Sequence, residues 1–209
     1  MITKNLGIKN MKKVVLVLAV VFATVAGVKA QESPKSAKVK VNVVLNPFQS
    51  IELGGSGQPG AVDVVNLVYN NANDYKNGVN KLVDKQLKVS SVGSGYKISA
   101  SLGLNGGSTG TFKKVQGGGV ENIDASQLLE IAIGKTGSLN GATNGNTAAA
   151  TMEFGPFGAN STGESSVLDE FLDVKYFGKQ LGQDMVRKLM GNQNKAEYTI
   201  DVVYTIAVN

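Results

Sequence analysis

Apolar and polar residues alternate along most of this chain with the two-residue period of β-strands. Val39, Val41, Val43 and Leu45 alternate with Lys38, Lys40 and Asn42, which predicts a half-buried strand ended by Pro47. Phe48 to Leu53 reads as a short continuation, and the glycines from Gly54 to Gly60 as a loop. Residues 61–69 are apolar on both faces and predict a central strand. Leu87–Val92 and Tyr96–Leu104 predict a hairpin turned by Gly93-Ser94-Gly95. Leu129, Ile131 and Ile133 mark another strand, as do Leu172, Val174 and Tyr176. The longest alternation closes the chain from Glu197 to Val208. There Tyr198, Ile200, Val202, Tyr204, Ile206 and Val208 line one face.

Helical spacing is found in Leu181, Met185 and Leu189, which predicts one short helix over 180–190 with Gly191 as its stop. Asn71 or Asn73 caps at most a single turn before Asn77-Gly78. Residues 105–119 are polar and glycine-rich and read as a loop. Residues 136–152 carry no charge and read either as a long flexible loop or as a region ordered against a neighbouring subunit. The expected fold class is all-β: an antiparallel β-sandwich, Ig-like or pilin-like, of about seven to nine strands, with one short helix and long Gly/Asn-rich loops.

The first thirty residues change the charge argument. Lys12-Lys13, the apolar run Val14–Val25 and Val28-Lys29-Ala30 have the layout of a secretory signal peptide cut after Ala30. The expected domains are therefore residues 1–30, a signal peptide that is removed, and residues 31–209, a single β-sandwich domain. The apolar run is shorter than the roughly 20 residues needed to cross a bilayer, so no membrane span is expected after signal removal. The protein is expected in the periplasm or at the cell surface. The formal charge of +5 is carried entirely by Lys4, Lys9, Lys12, Lys13 and Lys29, so residues 31–209 are neutral. Nothing in that balance points to nucleic acid, and neutrality is compatible with self-association.

Candidate chemistry is sparse. The chain has no cysteine and no histidine, which excludes disulfides, thiolate catalysis and a Ser-His-Asp triad. Gly134-Lys135-Thr136 looks like the tail of a phosphate loop, but Leu129 stands where its first glycine belongs. Glu164, Asp169, Glu170 and Asp173 cluster in sequence. Two such carboxylates can hydrolyse a glycosidic bond or bind calcium, yet nothing in their spacing fixes a pair. They read as a solvated strand face. Asn160-Ser161-Thr162 matches a glycosylation sequon and reads as plain loop. Tyr69, Tyr75 and Tyr96 could stack on sugars, but core or strand-pair packing fits the alternating tyrosines better. No catalytic, metal or cofactor-binding residue is predicted.

Three segments carry a resemblance: Leu45-Asn46-Pro47, Val68-Tyr69 with Asp74-Tyr75-Lys76-Asn77-Gly78-Val79, and the closing Tyr198 to Ile206. Together they resemble uncharacterised secreted β-sandwich proteins of Bacteroidota, similar in layout to pilin-like and WxL-type surface domains. The likeness covers most of residues 31–209, although the WxL tripeptide itself is absent. It implies a non-enzymatic surface structural protein with no cofactor, fimbria-like, assembling by β-strand pairing with itself or with other surface proteins. The alternative is a monomeric cell-surface module that binds a glycan or peptide. The candidate assembly residues are Val39, Val41, Val43 and Leu45, as a strand donated to a neighbour, and Tyr198, Ile200, Val202, Tyr204 and Ile206. Otherwise the first and last strands pair within one sandwich.

Overall fold

A computed structural model describes residues 38–54, 63–105, 107, 109–158 and 166–209. The expected signal peptide, the loop at 55–62, Glu164 and the sequon lie outside the described residues. Contacts divide the chain after Val43, and the folded body is built from Val44–Asn209.

Its elements, in order along the sequence, are β1 (Phe48–Leu53), α1 (Ala72–Asn77), β2 (Val79–Val92), β3 (Tyr96–Gly103), β4 (Thr111–Gly117) and β5 (Asn122–Asp124). There follow α2 (Ala125–Leu128), β6 (Leu129–Lys135), β7 (Asn146–Thr147), β8 (Thr151–Phe157), β9 (Val167–Gly178), α3 (Gln183–Met190), β10 (Ala196–Thr199) and β11 (Asp201–Val208). All pairings are antiparallel, in three sheets of order β1-β2-β9-β6-β7, β11-β3-β8 and β10-β4-β5. The all-β antiparallel class is the one the alternation predicts. The eleven strands among the described residues exceed the expected seven to nine because β5 and β7 are only 3 and 2 residues long and the closing alternation divides at Ile200.

The first two sheets bury their inner faces on each other. Leu87, Val89, Ile131, Leu172 and Val174 meet Tyr96, Ile98, Ala100 and Leu102 in one core, and all are sealed from solvent. Each of the larger side chains adds about 1.5–3 kcal/mol of transfer free energy. The third sheet continues the second. β3 and β4 run one after the other along the closing strand, β3 against β11 and β4 against β10.

Two polar bridges cross the core. The Tyr96 hydroxyl on β3 donates to Glu170 Oε2 on β9 at 2.7 Å, and Glu170 Oε1 meets Lys135 Nζ at 3.0 Å. The Tyr176 hydroxyl on β9 donates to Gln86 Oε1 at 2.9 Å, so its 2.7 Å contact with the Tyr204 hydroxyl on β11 uses the Tyr204 proton. These bonds satisfy groups that would otherwise be costly to bury.

Several expectations are corrected. Leu87–Val92 and Tyr96–Leu104 are strands, but they form no hairpin: β2 pairs with β1 and β9, β3 with β11 and β8. Gly93-Ser94-Gly95 is a corner between sheets, and local alternation cannot tell a corner from a hairpin. Residues 64–70 are not a central strand. Val65 and Leu67 pack on the core while Val64 and Val68 are exposed, and no neighbouring strand pairs with them among the described residues. The expected strand at Val39, Val41, Val43 and Leu45 is absent: residues 38–47 have no regular structure. The expected loop at 105–119 contains β4, whose backbone is paired on both sides despite few apolar residues.

The short helices obey their capping signals. Asn71 caps α1 through its side chain, and Asp74 bonds back to the cap in a reciprocal box. The expected helix at 180–190 is α3, closed at Gly191 with φ 57°.

The core tyrosines generate an alkaline limit. Burial, then the hydrogen bond to Glu170 and its charge, hold the Tyr96 phenol well above its ordinary range; burial also raises Tyr176 and Tyr204. Their folded values exceed the unfolded value near 10, so above that pH the unfolded protein loses protons that the folded protein keeps. Stability should be complete below about pH 10 and fall above it by about 1.4 kcal/mol per pH unit for each tyrosine still protonated only in the fold. Urea titrations across alkaline pH, followed by circular dichroism, measure this slope; a flat profile would contradict the buried assignment.

Candidate functional site

The four acidic candidates separate once folded. Asp169 is exposed and paired with Lys88 at 2.8 Å. Glu170 is engaged by Tyr96 and Lys135 as described. Glu164 lies outside the described residues. Asp173 is fully buried, which overturns the expectation of a solvated face. Its Oδ1 accepts the Lys85 N–H at 2.8 Å and its Oδ2 accepts the Gly137 N–H at 2.6 Å.

Those two bonds explain the burial. Opposite Asp173, β2 carries Asp84, Lys85 and Gln86 between the paired residues Val83 and Leu87, a bulge with Lys85 at φ 53°. The carboxylate fills the gap and takes the N–H that the bulge frees. On the other side it fastens the turn after β6. Lys175, two residues on and also buried, donates to the carbonyls of Ala142 at 2.7 Å and Leu139 at 3.4 Å. The uncharged 136–145 segment is thus tied within its own subunit to polar side chains of β9, with Gly145 N–H bonded to Glu130 at 3.1 Å as well. These carboxylates hold structure; among the described residues no group of three or more Asp, Glu, His or Cys could hold a metal ion.

The three tyrosine candidates also part. Tyr96 is sealed in the core and cannot meet a ligand. Tyr69 and Tyr75 come together with ring centroids 5.3 Å apart, and the Tyr69 hydroxyl donates to the Lys179 carbonyl at 2.6 Å. Burial, with a smaller effect of Tyr75, pushes the Tyr69 phenol up to about 12. An open groove of about 430 Å³ lies beside them, lined by Ala72, Tyr75, Lys76, Gln180, Leu181 and Gly182.

The assembly candidates fall in two separate places. Val39, Val41, Val43 and Leu45 are 80, 78, 79 and 85% exposed, as is the intervening Val44 at 76%. An apolar segment with strand periodicity stands in solvent, outside any sheet of the described residues. At the C-terminal end, β10 and β11 are edge strands of their sheets. Tyr198, Ile200, Val202, Tyr204 and Ile206 point inward, half-buried, and the residues between them face water.

The direction of the β11 backbone follows from its neighbours. Leu102 donates its N–H to Ala150 and accepts from Gly110, so both its backbone groups point away from β11. Its partner Val202 therefore sits at a non-hydrogen-bonded position. At the far end Asn209 N–H donates to Gly95, which puts the odd-numbered residues in the bonded positions. Val202, Tyr204, Ile206 and Val208 accordingly turn their N–H and C=O groups outward. Periodicity identified these residues; only the sheet order reveals that they lie on an edge.

No family model matches the sequence, and no curated protein sequence matches it.

Replacing Asp173 by alanine leaves the part-buried N–H groups of Lys85 and Gly137 without their acceptor, each costing up to about 1–3 kcal/mol. We expect a loss of about 2–5 kcal/mol with the secondary structure retained, measured by denaturant unfolding. A change under about 0.5 kcal/mol, within the range of an ordinary surface substitution, would show that the bulge holds itself.

Proposed function

We propose that this protein is an exported, non-enzymatic surface structural subunit that assembles by β-strand pairing between copies. The observation that carries the reading is the exposed alternating segment Val39–Leu45 in a protein whose last strand is an edge strand of its sheet among the described residues. Residues 38–45 match the eight residues of β11 in length. Laid along β11 of a second copy, the segment would bond to the outward groups of Val202, Tyr204, Ile206 and Val208. Val39, Val41, Val43 and Leu45 would then lie beside the half-buried face of Val202, Tyr204 and Ile206. Main-chain bonds supply affinity in such an addition, and alternate side chains supply register. The signal-like start of the sequence and its neutral remainder support export and self-association.

The groove beside Tyr75 favours a second reading, a monomeric surface module for a glycan or peptide. Saturable binding on a glycan array that Tyr75→Ala abolishes would favour it over assembly.

Residues 31–209 should form concentration-dependent oligomers in size-exclusion chromatography. Each valine buried on pairing contributes about 1.5 kcal/mol or more, so Val41→Asp with Val43→Asp should weaken association by at least about a hundredfold. The melting temperature of the subunit should not change, because both side chains are exposed. The protein lacks cysteine, so Val44→Cys in one copy and Val203→Cys in another, which share the solvent face in this pairing, should cross-link if the β11 edge is the acceptor. A wild-type protein that stays monomeric at high concentration would overturn the proposal.

A further inference from the structure

The segment that covers the outer face of β9 holds an Asn-Gly step whose chemistry the fold leaves open. Asn140-Gly141 occupies the two central positions of a β-turn closed by the Ala142 N–H on the Leu139 carbonyl at 3.1 Å. Asn140 is exposed. The Gly141 N–H donates to no group among the described residues, and a Cβ at Gly141 would meet nothing within 4 Å. The two other Asn-Gly steps whose residues are both described are closed. Gly78 N–H is bound to the Asp74 carbonyl at 2.8 Å, and the Asn77 amide donates to Asn73 at 2.6 Å. Gly145 N–H is bound to Glu130, and its Cα is pressed against the backbone of Ile131.

We propose that Asn140 is a site of spontaneous deamidation, which converts the 136–145 segment from uncharged to anionic as the protein ages. Solvent base takes the Gly141 N–H proton, and the nitrogen attacks Asn140 Cγ. The new bond from nitrogen to Cγ closes a five-membered succinimide, the bond from Cγ to Nδ2 breaks, and ammonia leaves with the returned proton. Water then opens the ring at either carbonyl, giving aspartate or isoaspartate. The fold tolerates the product. The Lys175 ammonium binds the carbonyls of Leu139 and Ala142, which flank the reacting pair, so a cation already stands at the turn that gains the carboxylate. At Asn77 and Asn144 a hydrogen bond must open before attack, and one such bond slows a local reaction by roughly three- to tenfold.

The test is peptide mapping by mass spectrometry of the folded protein, incubated in mildly alkaline buffer at physiological temperature, beside the same protein in denaturant. In the folded sample the Asn140 peptide should convert about tenfold ahead of the Asn77 and Asn144 peptides; in denaturant the three should converge. Gly141→Ala serves as the control. Its added methyl has open space and Gly141 does not have a positive φ, so the variant should melt like the wild type while its Asn140 stays an amide. Equal rates at the three sites in the folded sample, or conversion undiminished in Gly141→Ala, would overturn the proposal.

Discussion

The burial of β9 on both of its faces is the constraint from which the rest of the structure follows. Its inner face, Leu172, Val174 and Tyr176, is the middle of the core. Its outer face, Asp173 and Lys175, is equally closed to water. A strand with two buried faces must satisfy every polar group it carries. The bulge of β2, the turn after β6 and the path of the 136–145 segment are the partners it has recruited. Leaving any of them out would strand a carboxylate or an ammonium in the interior. The same arrangement holds a long glycine- and asparagine-rich stretch to the body without a hydrophobic anchor at each turn.

The opposite flank is organised the other way. β9 is saturated, whereas β10 and β11 are paired on one side only among the described residues. Edges of that kind are a liability unless shortened, charged or covered. Here the edge is long and its solvent-facing residues include only two acids, Glu197 and Asp201. Val203, among the exposed ones, adds apolar surface. A second alternating apolar segment of the same protein, Val39 to Leu45, is exposed as well.

Much of the fold was legible in the alternation. β3, β6, β9, β11 and α3 stand where the periods of two and 3.6 put them, because each has one face on the core. What could not be read is partnership. The corner at Gly93-Ser94-Gly95 has the composition of a hairpin turn, and only the placement of β9 and β11 decides which sheet each flanking strand joins. Residues 64–70 keep a strand pattern because packing on a core needs alternate apolar residues whether or not the backbone is paired. β4 carries no strand pattern for the converse reason: Thr111, Lys113, Lys114 and Gln116 are held by backbone pairing with few apolar contacts. Asp173 looked like a surface acid because its sequence neighbours are acids. Its role depends on a bulge 88 residues upstream, for which no local signal exists.

A bare α-carbon at residue 54 carries a geometric consequence. Gly54 N–H is bound to the Gln86 carbonyl at 2.7 Å, and any Cβ there would overlap the carbonyl oxygen of Lys85. Sliding β1 by one place would bring Leu53 into that collision. The strand is therefore indexed by steric exclusion, not by its own weakly patterned side chains. Pro47, which packs against Gly93, becomes a fixed exit point for the residues ahead of it. A missing methyl group thus fixes where the first strand must stop along its neighbour.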